Sequence, residues 1–294
     1  MVKKLVLLVV GIMMAALFAG CGNDAPKEQA SKKIQVVTSF NAMAEFAKAI
    51  GGDKVEVSTI IPDGVEPHDF ELKPDNMKQL ATAQVFVYNG FGMEPWAKQA
   101  IEAAKNDKLV SVVATEGVEA IKNTDPEEIK EHGAEDPHAW LSLKNAKIEV
   151  KNIKDALVKV DPANKDYYEK NYTEYVAKLD AMIKKYEEQF AKAPHKNFVT
   201  GHAAFAYLCR DFGLEQNSVE DVFAEGEPNA AQLAKLIEYC KENKITTIFA
   251  EEMASPEVSK TLAQEVGAKV ETIYTIESNE DNKTYLERMD ENLT

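Results

Sequence analysis

Cysteine is scarce in this chain of 294 residues, present only as Cys21, Cys209 and Cys240. Thiols so few and so far apart build neither a disulfide scaffold nor a cysteine-based zinc motif. Positive charge is also in deficit: 34 Lys and Arg stand against 49 Asp and Glu, for a formal net charge of -15. A surface of that sign repels phosphate backbones and anionic headgroups, which sets nucleic acid aside as a partner. The HExxH pattern of a zinc peptidase helix is absent. Histidine is limited to five residues, His68, His132, His138, His195 and His202. The longest uncharged apolar run, Leu5 to Gly20, falls short of the ~20 residues a membrane-spanning helix needs.

That run is preceded by Met1-Val2-Lys3-Lys4 and followed by Cys21-Gly22-Asn23. A basic start, a short apolar stretch and small residues at its end describe a secretory signal over residues 1–20. "LFAGC", Leu17 to Cys21, resembles a bacterial lipobox, in which the cysteine is lipidated and becomes the first mature residue. Residues 21–33 then form a polar, lipid-anchored tether. The mature protein is expected on the outer face of the bacterial cell membrane. Loss of Lys3 and Lys4 takes the formal charge from -15 to -17. Cys209 and Cys240 each lie in an apolar helical stretch where a buried thiol suffices; a bridge between them is the alternative.

After the tether, strand patterns at Ile34–Ser39, Val55–Ile61, Gln84–Gly90 and Leu109–Val113 alternate with helical patterns at Asn41–Ile50, Pro74–Ala83 and Glu94–Ala104. Such alternation predicts parallel pairing and an α/β layer. From Asn145 to Ala193 no strand pattern occurs. Within that segment, Tyr168, Tyr172, Tyr175, Val176, Leu179, Met182, Ile183, Tyr186 and Phe190 recur at helical spacing, predicting a helix over Asp166–Ala193 about 40 Å long. Strands at Asn197–Thr200, Ile245–Ala250 and Ala268–Tyr274 then alternate with helices at His202–Phe212, Pro228–Glu242 and Pro256–Val266. A terminal amphipathic helix starts near Lys283 and breaks off at Thr294, as a truncated C terminus would. The expected architecture is two Rossmann-like α/β lobes, residues 34–144 and 194–294, joined by the helical segment 145–193 with its long rigid spine helix.

In open α/β sheets, ligands bind at the carboxyl ends of strands. Four residues sit there: His68 in "GVEPHDFELKP", His138 in "EDPHAWL", His202 in "VTGHAAFAYL" and Glu277 in "YTIES". Two come from each lobe, so all four are expected to face one inter-lobe cleft. Three imidazoles and a carboxylate suit zinc, whereas calcium and magnesium prefer all-oxygen shells. Pro67 and Pro137 fix the backbone directly before His68 and His138, stiffening the mount of each ring. Glu280 and Asp281 are alternative carboxylates beside Glu277.

"GVEPHDFELKPDNMKQLATAQVFVYNG", "DPHAWL", "GHAAFAYL", "TIFAEEMASPEVSKTLAQEVGAKV" and the lipobox together resemble the zinc/manganese-binding lipoproteins of bacterial ABC metal importers. The resemblance implies an extracytoplasmic, non-enzymatic receptor. Its ligands would be His68, His138, His202 and Glu277, and its partners a permease and its ATPase. Relatives that favour manganese usually carry glutamate in the third position and aspartate in the last, so His202 and Glu277 lean toward Zn2+, with Mn2+ as the alternative. The loop Thr115–His138 is short and acidic and adds only His132, so its carboxylates are read as a solvated face rather than a metal collector.

Other singled-out residues have plainer readings. His195 is expected at the surface, and Trp96 and the spine tyrosines in packing. Trp140 is expected to pack or to wall the site from water. Glu66, Asp69 and Asp136 either orient the nearby histidines, serve as spare ligands or are simply exposed. Two rival classes remain: a zinc hydrolase with Glu66 or Glu277 as general base, and a metal-dependent adhesin for which no specific surface patch is visible.

Overall fold

A computed structural model describes residues 33–123, 129–130, 133–222, 230–252, 257–279 and 281–294. The signal and tether through residue 32, with Cys21, lie outside the described residues, as do His132 and Glu280. The first sheet holds β1 (Ile34–Thr38), β2 (Val55–Thr59), β3 (Val85–Tyr88) and β4 (Val110–Val113), interleaved with α1 (Asn41–Gly51), α2 (Pro74–Thr82) and α3 (Ala97–Ala104). Its strand order is β2-β1-β3-β4, all parallel, with Val36 opposite Val57 and Val85. Parallel strands covered on both faces read as continuous apolar runs. The wholly apolar and aromatic stretch of β3 fits that rule.

The strand-free middle folds as two helices, α4 (Leu143–Val160) and α5 (Lys165–Phe190), broken at Asp161-Pro162. Ser142 starts α4, its hydroxyl oxygen accepting from the Asn145 amide at 3.0 Å. Along α5, Tyr168, Tyr175, Leu179, Ile183 and Tyr186 are buried. That spacing keeps one face of about seven helical turns against the core. At 26 residues, the spine helix is about 39 Å long.

The second sheet repeats the first in topology. It comprises β5 (Asn197–Thr200), β6 (Glu215–Ser218), β7 (Thr247–Glu251) and β8 (Lys269–Ile273), in the all-parallel order β6-β5-β7-β8. Its helices are α6 (Ala206–Phe212), α7 (Ala230–Glu242), α8 (Glu257–Val266) and α9 (Tyr285–Asn292). The strand β6, "EQNS", escapes sequence reading because an edge strand need not be apolar. Helix α6 starts at Ala206 rather than His202: the stretch from Gly201 to Phe205 is irregular and lies at the carboxyl end of β5.

One large apolar core runs from the first sheet through α1, α4 and α5 into Phe205, Leu208, Phe212, Ile273, Ile276, Tyr285, Met289 and Leu293 of the second half. A smaller one, including Val199, Leu236, Cys240, Ile248 and Leu262, fills the space between the second sheet and helices α7 and α8. Cys209 and Cys240 are buried free thiols, so the bridge does not form. Burial pushes the Cys209 thiol up to about 12, which leaves it unreactive near neutral pH.

The C-terminal segment crosses back onto the first lobe. The Tyr285 hydroxyl donates to the Trp140 carbonyl at 2.6 Å, and the Trp140 indole donates to the Thr275 carbonyl at 2.7 Å. The Asn41 amide side chain donates to the Ile276 and Ser278 carbonyls at 3.3 and 3.2 Å, and the Gly64 amide donates to the Ser278 hydroxyl at 2.8 Å. Among the described residues, no helix is long and apolar enough to cross a membrane.

Candidate metal centre

Both sheets carry a topological switch point, between β1 and β3 and between β5 and β7, and the irregular segments leaving these strand ends build the site. His68 lies in the loop after β2, with its imidazole 2% exposed. Its backbone amide donates to Glu66 Oε1 at 3.4 Å, so Glu66 braces the loop from within.

His138 ends the segment that leaves β4 and is fully buried. Asp136 holds it twice: one carboxylate oxygen accepts from the His138 amide at 2.9 Å and lies 2.9 Å from Nδ1. With the Nδ1 proton given to Asp136, Nε2 keeps its lone pair for a ligand. The preceding Pro137 carbonyl accepts from the Asn89 side chain at 2.8 Å, and buried Glu94 fixes Asn89 by accepting from the amides of Asn89 and Gly90 at 2.9 and 3.0 Å. Trp140 packs its ring 5.2 Å from that of His138, forming a wall of the site.

His202 follows β5 across Gly201. Its amide donates to Glu251 Oε1 at 3.0 Å, and its Nδ1 lies 3.6 Å from the same oxygen. The unrecognised strand β6 also supports it, since Gln216 donates to the His202 carbonyl at 3.0 Å. Glu277 leaves β8 with only 4% of its surface exposed. Its Oε2 accepts from the Thr275 hydroxyl at 2.9 Å, while Oε1 is buried without a hydrogen-bond partner among the described residues.

These four side chains converge. His68 and His138 approach at 3.2 Å between Nε2 atoms, and His138 and His202 at 3.4 Å. Glu277 Oε1 lies 3.7 Å from His138 Nε2 and 3.9 Å from His68 Nε2, and the four ligating atoms all lie within 4.8 Å of one another. A tetrahedron with arms of about 2.0–2.1 Å has edges of about 3.3–3.4 Å. The two imidazole spacings at 3.2 and 3.4 Å match such an edge, and the carboxylate oxygen stands farther out, at 3.7 and 3.9 Å. Imidazole nitrogens facing one another, beside a buried carboxylate oxygen with no hydrogen-bond partner among the described residues, form a pocket that a divalent cation completes.

The charges around the pocket differ from one side chain to the next, and His202 and Glu277 hold protons that a metal ion would have to displace. Burial drives the His138 imidazole well below its usual range, with the neighbouring His202 adding to the effect, so the ring stays neutral and able to ligate. Burial alone would lower His202 too, but its hydrogen bond to Glu251 and the charges of Glu251, Glu277 and Glu66 outweigh that and raise it to about 9. Burial, reinforced by Glu66, raises Glu277 well above the carboxylate range. Burial raises Asp136 to about 7.

The remaining sequence candidates separate cleanly. Asp281 belongs to Arg288, whose guanidinium donates to it at 2.6 and 3.0 Å, so it is not a competing ligand. Asp69 and His195 are exposed. Trp96 packs against Phe70, with ring centroids 5.7 Å apart. Sequence reasoning missed Glu251, although it stands at the end of β7, where the strand-end rule applies equally. Gly201 must remain glycine for this carboxylate: a Cβ there would meet Glu251 Oε2 at 2.0 Å. Gly201→Ala is therefore expected to displace Glu251 and lower stability by about 1–3 kcal/mol, the usual penalty of overpacking. Urea unfolding of the metal-free protein measures it, and an unchanged midpoint would contradict the close approach.

Comparison with known proteins follows the same lines. Residues 36–294 match the family described as zinc-uptake complex component A periplasmic. The high-affinity zinc uptake system protein ZnuA of Bacillus subtilis is 42% identical over 292 residues, covering 94% of this chain and 92% of that protein. The zinc-bound ZnuA-like domain of AdcA from Streptococcus pneumoniae superposes with a TM-score of 0.76 at 34% identity, covering 89% of this chain and 96% of that one. The laminin-binding protein Lmb of Streptococcus agalactiae, described as bifunctional with adhesin and metal-transporting activity, superposes at 0.80 with 32% identity, covering 89% and 97%.

Proposed function

The chain belongs to the zinc-uptake complex component A periplasmic family, and from that premise we propose that it is an extracytoplasmic receptor that binds zinc tightly and delivers it to an ABC importer. The single observation that carries this reading is the convergence of His68, His138, His202 and Glu277, four nearly dehydrated ligands from four separate strand ends. A binding protein needs a full shell of its own ligands; a hydrolytic zinc keeps one position for water. Four protein donors thus favour capture over catalysis. Three nitrogens to one oxygen favour zinc over manganese, which takes oxygen-rich shells more readily.

The cargo would be held by both lobes at once, with the spine helix limiting how far they swing apart. Loading then chiefly orders the ligand loops. Lipidation at Cys21 and the tether through Lys33 would keep the receptor on the outer face of the cell membrane, within reach of a permease that works with its ATPase. Chelator-treated protein titrated calorimetrically with zinc is expected to show one site of sub-micromolar affinity, with manganese competing poorly. Absence of sub-micromolar zinc binding would sink the proposal.

A further inference from the structure

We infer that Glu252 is a positioning residue for the metal centre: its carboxylate fixes the loop before Glu277 and thereby sets where the Glu277 oxygen points. The inference rests on the zinc-receptor reading and adds a residue to it. Glu252 is the first residue beyond β7. Its Oε2 accepts from the Thr275 amide at 2.9 Å and its Oε1 from the Ile276 amide at 2.9 Å. Successive backbone amides turned toward one anion form a nest, which requires the chain to enter the left-handed region.

The chain does so at a costly place. Ile276 has φ +63° and is fully buried in the main core. A β-branched residue takes that conformation only when its surroundings enforce it. Three groups enforce it here. Glu252 grips the two amides, Asn41 donates to the Ile276 carbonyl at 3.3 Å, and the Trp140 indole donates to the Thr275 carbonyl at 2.7 Å.

The consequence reaches the site through one hydroxyl. Thr275, held by its amide on Glu252, donates through Oγ1 to Glu277 Oε2 at 2.9 Å. That bond occupies one carboxylate oxygen and turns the other, Oε1, toward His138 and His68 at 3.7 and 3.9 Å. Without the Glu252 anion, two amides lose their acceptor, Ile276 relaxes out of the left-handed region, and the Glu277 carboxylate swings away from the imidazoles.

A mutant cycle on the zinc-binding protein tests this, by competition against a chelator of known affinity. Glu252→Gln keeps the shape but offers only one acceptor to the two amides. It is expected to weaken zinc binding about 10–100-fold, as loss of an outer support usually does. In a Glu277→Ala background the same change is expected to alter affinity by less than about twofold, because nothing remains to be positioned. The visible absorption of bound cobalt(II) in Glu252→Gln should shift toward that of Glu277→Ala, a change that general loss of stability would not produce. Thr275→Val, nearly isosteric and leaving the Glu252 carboxylate intact, is the second variant, expected to weaken binding about tenfold.

Zinc affinity within about twofold of wild type in either single variant overturns the positioning role, as does an equal loss in both backgrounds. The site reading fails separately: zinc binding untouched by Glu277→Ala would overturn the ligand assignment, and the positioning role with it.

Discussion

Replacing His138 with alanine is expected to weaken zinc binding by about 10²–10³-fold. A closed four-ligand zinc site is worth roughly 10–16 kcal/mol, so one ligand in four carries about 2.5–4 kcal/mol. His138 should fall at the upper end, because it is central to the cluster: both other imidazoles approach its Nε2, at 3.2 and 3.4 Å. Its removal also leaves the Asp136 carboxylate in a dry pocket without its ring partner. Asp136→Asn, which preserves the ring but weakens its support, should lose only about 10–100-fold. Calorimetry with competing chelator separates the two. Equal losses in both variants would mean that His138 does not touch the ion.

The second large effect lies away from the metal. Glu149, on α4, is fully buried, and neither of its carboxylate oxygens has a hydrogen-bond partner among the described residues. Burial alone lifts its pKa from 4.5 to about 8. In the unfolded chain the group ionises first, so between these values the unfolded state holds fewer protons than the folded one. Stability must then fall as pH rises across that window and level off above about 8. At pH 7 the penalty is about 3 kcal/mol. Glu149→Gln keeps the shape and abolishes the titration. Calorimetric scans of the metal-free protein should show the variant melting roughly 6–12 °C higher at pH 7. The advantage should shrink to a few tenths of a kcal/mol by about pH 4.5, where the unfolded chain is half protonated, and vanish about one pH unit lower. A variant that is less stable at pH 7 would show that the carboxylate has a partner that favours its charge.

Much of this fold was legible because parallel strands buried on both faces cannot hide. Val85–Tyr88 announces itself by apolar and aromatic content alone, and Ile34–Thr38 by its β-branched residues. The polar edge strand Glu215–Ser218 did not, since its pairing with β5 is made by backbone atoms that composition does not report. The convergence of the three histidines and Glu277 followed from their shared place at strand ends. Their supports did not. Asp136 was visible only as a neighbour in sequence, whereas Glu251, Glu252 and Asn41 act across 49, 23 or 24, and more than 230 residues respectively. Asp281 shows the converse. In sequence it is as good a carboxylate as Glu277, and only the buried Arg288 beside it decides its allegiance.

The return of the C-terminal segment onto the first lobe changes how the four ligands are shared. Counted along the chain they divide two and two. Counted by attachment Glu277 belongs to both halves, for Asn41, Gly64 and Trp140 fasten the stretch around it to the half that bears His68 and His138, while Glu252, just beyond β7, holds the Thr275 and Ile276 amides from the other side. The carboxylate corner is thus clamped from two sides, so any rocking of one sheet against the other pulls on Glu277 as well as on His202.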